Sequence, residues 1–342
     1  MRAFTCEHCG QLLFFENSLC LRCGASLGFV PSRRALMVPD RHPEMHLEPC
    51  GNQAVAACNW MLEPDSVPWG GAQPTLCRSC GLTRTRPADF ATDDLAQFAV
   101  AERAKRRLLF GLLDLGLPIG DDLRFDLLSS RDEPVTIGHD GGVITIDLAE
   151  SDDARRELRR TQLEEPYRTM LGHFRHEIGH YYWPILVVAQ ARLERARELF
   201  GDERLDYDEA RERHYSDPRR PPADWAQRHV SAYATMHPYE DWAETFAHYL
   251  HIRDTLQTAG AFGIVVAVPG DGSLISTPGP DAGAHPFQKL LADWLPLTYA
   301  LNAVNRSMGR DDLYPFTLAP TVIDKLSFVH DRVQAGKAGV AA

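Results

Sequence analysis

No cysteine follows Cys80 in a chain of 342 residues. The bulk of the protein therefore has no disulfide and no thiolate chemistry of its own. Long apolar runs are also missing. The longest nearly apolar stretch, Ala259 to Val268, is ten residues, and a membrane helix needs about 18 or more. The opening MRAFTCEHCG holds no apolar signal core, so a cytoplasmic location is expected. Positive charge is in short supply. Lys and Arg number 36 against 47 Asp and Glu, a formal charge of −11. That deficit argues against general binding to nucleic acid or an anionic membrane.

What the chain does have is concentrated. All eight cysteines, Cys6, Cys9, Cys20, Cys23, Cys50, Cys58, Cys77 and Cys80, fall in the first quarter. Residues 1–88 carry a net charge of +1 and the remainder −12. Composition thus separates a cysteine-rich module, 1–88, from an acidic body, 89–335, with a small-residue tail, 336–342, expected to be flexible. Cys6-x2-Cys9 and Cys20-x2-Cys23 are matching half-sites, each ending in glycine (Gly10, Gly24) where the backbone must turn tightly. Four thiolates suit tetrahedral zinc. Without a secretory signal, two disulfides are the poorer reading. Cys50, Cys58, Cys77 and Cys80 form a second candidate set, less regular in its first half, with His8, His42 and His46 as possible substitute ligands. Closed four-thiolate sites have no open position for substrate. Their expected role is structural, or the binding of a partner protein.

In the body, helical periodicity is expected over Thr92–Leu115, Thr169–Tyr182, on to Phe200, over Asp224–Thr235, and from Pro238 to about Ala261. Further helices are expected near Phe287–Asn305 and Pro320–Val333. Asp152–Glu165 reads as a charged helix, Gly201–Asp217 as an acidic polar stretch and Gly263–Pro286 as a long loop. Leu123–Leu128 alternates like a strand, and Thr136–Ile146 reads as a hairpin turning at His139–Gly142. The fold class is α+β.

His176-Glu177-Ile178-Gly179-His180 is HExxH. On a helix, histidines four apart share a face, so both imidazoles can reach one metal. Glu177 sits where a base could take a proton from water bound to that metal. Leu171, Phe174, Ile178 and Tyr181 make this a buried helix, and burying two histidines and a glutamate without a partner is costly. A catalytic zinc needs a third protein ligand. The donor-rich helix Pro238–His248 offers Glu240, Asp241, Glu244 and His248 on roughly one face. Glu244 leads because Ala243 and Ala247 beside it permit close approach, and Glu240, Asp241 and His248 remain open.

The sequence resembles a family of zinc-binding metallopeptidases that carry an N-terminal zinc ribbon. The resemblance rests on CGQLLFFENSLCLRCGASLGF, CNWML, LCRSCGLTRTRP, AKRRLLFGLLDLGLP, GHDGGVITIDLAE, EPYRTMLGHFRHEIGHYYW and HPYEDWAETFAHYLH, which together run from Cys6 to about His251. It implies a mainly helical zincin-like domain with a small β-sheet, one catalytic zinc beside two structural ones, and a peptide or protein substrate. It is also similar to gluzincins, whose third ligand is a helical glutamate in an A-E-x-F-A setting; Ala243–Ala247 matches and favours Glu244. Zinc would then be held by His176, His180 and Glu244, with Glu177 as base. His237 and Tyr239, and also Tyr233, are candidate oxyanion donors, and Asp241 is a candidate to orient a zinc histidine. Val143–Asp147 is a candidate edge strand to which a peptide could add. Two other readings compete: an inactive adaptor that binds through its ribbons, and a zinc hydrolase of non-peptide amides.

Overall fold

The paired CxxC turns close on themselves in the computed structural model. It describes residues 2–63, 75–88, 92–131, 133–152, 155–158, 167–216, 221–267, 275–279, 281 and 285–338. Strands β1 (Phe4–Thr5) and β2 (Leu12–Leu13) pair around the first turn. The Cys9–Cys20 and Cys6–Cys23 sulfurs lie 3.6 and 3.8 Å apart. One ion with Zn–S bonds of about 2.3 Å would space its ligands by about 3.8 Å. Gly10 and Gly24 both adopt φ +72°, a conformation side chains resist. Their amides donate to the Cys6 and Cys20 carbonyls. The irregular set closes as well. Cys50, Cys58, Cys77 and Cys80 are all buried and cluster together, and the Cys77 sulfur caps helix α1 (Arg78–Gly81). Each cluster consists of four cysteines, with no histidine in it. His42 instead meets Glu7 at 2.9 Å, and His8 meets Arg41.

Two compact units emerge: Met1–Asp114 with Ile119–Arg156, and Leu115–Pro118 with Glu157–Ala342. In the first, hairpins β3 (Gly28–Val30) with β4 (Ala35–Met37) and β5 (Glu48–Pro49) with β6 (Met61–Leu62) are too short to enclose a core. Helix α2 (Thr92–Leu115) supplies it. Phe110 packs 5.1 Å from Phe15 and 5.6 Å from Phe29, and Phe29 lies 5.0 Å from Trp60. A four-stranded sheet has the order β7-β8-β10-β9, from β7 (Thr83–Thr85), β8 (Arg124–Leu128), β9 (Gly138–Asp140) and β10 (Val143–Asp147). β7 belongs to the cysteine-rich segment yet pairs with β8. Buried Glu102 and Lys105 of α2 meet at 2.6 Å, and Glu102 accepts from Thr83 at 2.5 Å. Consequently the compact units do not divide at residue 88. Gly141 and Gly142, both at positive φ, form the turn of the β9–β10 hairpin. β10 is an inner strand, with β8 on one side and β9 on the other. The expected free edge at Val143–Asp147 is therefore largely occupied.

The second unit is built on helices. Helix α3 (Met170–Trp183) starts where the Thr169 hydroxyl accepts from the Gly172 amide, and Pro184 turns it into a π-helical turn, Pro184–Val188. Then come α4 (Leu193–Phe200), α5 (Tyr207–Ser216), α6 (Pro238–Ala261), α7 (Phe287–Ser307) and α8 (Pro320–Ala338). α3 and α6 cross at very short range. A Cβ on Gly179 would lie 3.0 Å from the Ala243 Cα, and the Trp242 indole donates to the Gly179 carbonyl at 2.8 Å. Trp183, Phe200 and Phe246 pack around Trp242. Several expectations differ from what forms. Gly201–Asp217 contains helix α5. Asp224–Thr235 is two 3-10 turns, Trp225–Gln227 and Tyr233–Thr235, separated because Ser231 turns its hydroxyl to the Ala234 amide. α8 continues through Gly336 to Ala338, since Gly336 lets the helix approach Leu186 closely, and only 339–342 lie outside the described residues. The expected loop at Gly263–Pro286 contains a short ladder, Val266–Ala267 with Ile275–Ser276. The charged helix expected at Asp152–Glu165 is described only at Asp152 and over 155–158. Among the described residues, no helix is long and apolar enough to cross a membrane.

Candidate metal centre

α3 and α6 run antiparallel, so the first two turns of α6 face the HExxH segment, Tyr239 meeting His180, Trp242 meeting Gly179 and Glu244 meeting His176. His176 and His180 project from α3 one turn apart, and their Nε2 atoms stand 3.2 Å from each other. Glu240 completes the group. Its Oε2 lies 2.9 Å from His176 Nε2 and its Oε1 3.3 Å from His180 Nε2. All three ligand atoms fall within 4.8 Å of one another. Zinc bonds of about 2.0–2.1 Å in a tetrahedron would separate ligands by about 3.3 Å. Glu240 Oε2 is buried without a hydrogen bond although His176 is so close. Two nitrogens and a carboxylate thus converge on a shared point rather than on each other, and two histidines with one carboxylate are a zinc donor set.

Glu244, the residue the sequence favoured as third ligand, lies on the other side of the His176 ring. Its Oε1 is 2.7 Å from His176 Nδ1, and its Oε2 accepts from the Ser231 hydroxyl at 2.6 Å. It fixes the ring and leaves Nε2 directed at the centre. Burial would raise the Glu244 pKa, but His176 outweighs it and holds the carboxyl at about 2. Burial would also lower the His176 pKa, yet Glu240 and Glu244 together raise it well above the usual imidazole range. Such a charge pattern suits a divalent cation in place of a proton.

The remaining predicted residues are placed as follows. Glu177 is buried beside the histidines, and that burial raises its pKa. His237 is the N-cap of α6. Its Nδ1 accepts from the Tyr239 amide and its Nε2 meets the Leu205 carbonyl, so both ring nitrogens are used. Tyr239 lays its ring along His180, with centroids 4.5 Å apart, and donates its hydroxyl to the His180 carbonyl. Neither offers a donor to a substrate in this arrangement. Asp241 does not touch a site histidine; it pairs with Lys325 of α8 at 2.5 Å. His248 is buried one turn beyond Glu244, bonded to the Tyr314 hydroxyl at 2.8 Å. Tyr233 does border the centre, its ring 5.8 Å from that of His176.

Tyr207 and Ser231 escaped the sequence reading. Tyr207 donates to Glu240 Oε1 at 2.9 Å from the first turn of α5. Both residues lie in stretches whose composition is merely polar, and no spacing links them to HExxH. They reach the centre only because the α4–α6 connection folds back over it.

Comparisons agree with this architecture. Two four-cysteine clusters and a histidine-histidine-carboxylate group on two packed helices define a zinc-ribbon protein with a third candidate metal site in its helical unit. Residues 94–332 match the family described as "Putative zinc-binding metallo-peptidase", and residues 3–91 match a zinc-ribbon domain. The chain belongs to this zinc-binding metallo-peptidase family, in its α+β, ribbon-bearing form. It is 51% identical over 338 residues to an uncharacterized protein of Mycobacterium tuberculosis (strain H37Rv), covering 96% of this chain and 94% of that one. The same figures hold for an uncharacterized protein of Mycobacterium bovis. No solved structure matches the chain.

Proposed function

We propose that the protein is a zinc-dependent peptidase whose centre is held by His176, His180 and Glu240. The observation that carries this reading is the convergence of those three side chains with Glu177 buried beside them. Zinc held there would supply the positive charge that acidifies water and polarises a carbonyl. Glu177 takes a proton from the attacking water and delivers it to the leaving amine. Burial raises its pKa, which makes it a better proton acceptor than an exposed carboxylate. Glu244 and Ser231 keep His176 oriented, and Tyr207 keeps Glu240 oriented. Burial holds the Tyr233 phenol well above its ordinary pKa. It therefore stays neutral at the rim of the centre and, of the three candidates Tyr233, His237 and Tyr239, takes the oxyanion role.

The two ribbons hold structural zinc and serve partner or substrate recognition. Phe14 and Leu21 of the first ribbon are 65% and 89% exposed, more than a purely structural knuckle requires. All eight thiols lack disulfide partners, which fits a reducing, cytoplasmic setting. The deciding experiment is Glu177→Gln in protein purified without chelator. Retained zinc with lost cleavage of a peptide library supports the reading, and unchanged turnover removes Glu177 as the base. Hydrolysis of small amides without peptide cleavage would move the substrate class.

A further inference from the structure

A cavity of about 190 Å³ lies in the second unit, between α3, the C-terminal half of α6, and α7. Its walls are aromatic: Tyr167, Trp294, Tyr314 and Phe316. Its polar members are unusual. Arg175, Trp294 and Thr298 all line it, all are more than nine-tenths buried, and each carries a buried polar atom with no partner within the protein: Nε, Nε1 and Oγ1. Arg175 Nη1 lies 2.5 Å from His251 Nδ1. A guanidinium can only donate, so that nitrogen must accept and the ring proton resides on Nε2. Asp254 pairs with Arg175 but is divided between it and Arg253, at 3.0 Å from the latter. The lining is thus rich in N–H and O–H donors and poor in acceptors. Leaving such donors buried and unpaired is costly.

We propose that this cavity binds a carboxylate carried on an aromatic or apolar body, the anion satisfying the Arg175, Trp294 and Thr298 donors while the body packs against Tyr314 and Phe316. Two sources present that chemistry: a small free acid, or an acidic side chain or C-terminus of a peptide. The cavity stands next to the metal centre along the same helix pair, since Tyr314 bonds His248, one turn from Glu244. Arg175 itself directly precedes His176. Either source would therefore be sensed close to the catalytic helices.

Binding is testable without turnover, so its failure is distinct from failure of the peptidase reading. The zinc-loaded full chain is titrated calorimetrically with 3-phenylpropionate and with 3-phenylpropanamide. The acid is expected to bind at least about tenfold more tightly than the amide, because charge-assisted hydrogen bonds exceed neutral ones. Arg175→Met and Trp294→Phe should each weaken the acid about tenfold and leave the amide nearly unchanged. Should Arg175→Met fail to fold, Trp294→Phe, which keeps the ring and removes the donor, carries the test. Equal affinity for acid and amide, or acid binding untouched by Trp294→Phe, overturns the proposal and leaves a hydrated cavity. The source is read by competing 3-phenylpropionate from Glu177→Gln protein with peptide pairs that differ only in Glu for Gln, or in a free or amidated C-terminus. Displacement by the carboxylate member alone identifies a peptide subsite. Displacement by neither, with the acid still bound, identifies a small-molecule acid site.

Discussion

Glu240 and Glu244 are one helical turn apart, and they meet different nitrogens of one imidazole. That difference is measurable. Glu240→Gln should abolish zinc binding at the HExxH centre, because it removes a charged ligand. Glu244→Gln should keep the ion but weaken its affinity about 10–100-fold, as expected for a residue that orients a ligand. Metal content after dialysis against a graded chelator separates the two, and the opposite order would return Glu244 to the ligand position. Glu177→Gln should retain zinc while peptide cleavage falls about 10²–10⁴-fold, which a fixed-time peptide assay on metal-replete protein reads directly. Tyr233→Phe should lower kcat by about 10²-fold with little change in KM if the phenol serves the oxyanion. Spacing alone could not choose between the glutamates, because i and i+4 share a face. The alanines beside Glu244 pointed to helix contact, and Ala243 does make it, against Gly179. Close helix contact and the approach of a carboxylate to both histidines simply fall on neighbouring turns.

At the scale of elements, the centre depends on how closely α3 and α6 approach. Gly179→Val would force Cβ and two methyls against the Ala243 backbone, which cannot move aside. The expected cost is about 1–3 kcal/mol, read as a lower denaturation midpoint with an unchanged slope. Zinc affinity at the centre should fall with it, since Glu240 would be pushed away from the histidines. In the sheet, Arg84 of β7 holds Asp126 of β8 through two hydrogen bonds, one of 2.9 Å. That bonding lowers the Asp126 pKa below its usual 3.8. A depressed carboxyl contributes stability above its unfolded pKa and loses it as pH falls through the folded one. Arg84 is half exposed, so Arg84→Met should cost no more than about 1 kcal/mol at pH 7. The difference from wild type should shrink as pH falls below the usual carboxyl value of 3.8 and vanish once the folded carboxyl is protonated, in urea titrations at a series of pH values.

For the whole molecule, the count of metal ions is the informative quantity. Two four-thiol clusters and one His-His-Glu centre predict three zinc ions per chain. The His176→Ala/His180→Ala double variant should carry two, with its circular dichroism little changed. Cys50→Ser should instead lose a ribbon ion and destabilise the first unit, because the two-residue strands β5 and β6 beside that cluster have little core of their own. An unchanged count in the histidine variant would mean that the centre holds no metal, and the ribbon-adaptor reading would then lead. Glu102, Lys105 and Thr83 tie α2 to the strand after the second cluster. Loss of that cluster should therefore propagate into the sheet, visible as hydrogen exchange in β7 and β8.

Local pattern was sufficient for much of this protein. Cysteine spacing, HExxH, the α6 start at Pro238 and the helix of 92–115 could be read directly, because each is set by contacts a few residues apart in the chain. The approach of Glu240 rather than Glu244 to the two histidine Nε2 atoms, the Ser231–Glu244–His176 chain, Tyr207 on Glu240 and the inner position of β10 were decided by tertiary structure. Each depends on which face of one element meets another far away in sequence, and a helical face spans both i and i+4. His237 and Tyr239 show the same limit from the other side. Their proximity to the ligand helix was legible, but their donors and acceptors were taken up by backbone groups that only the folded chain brings within reach.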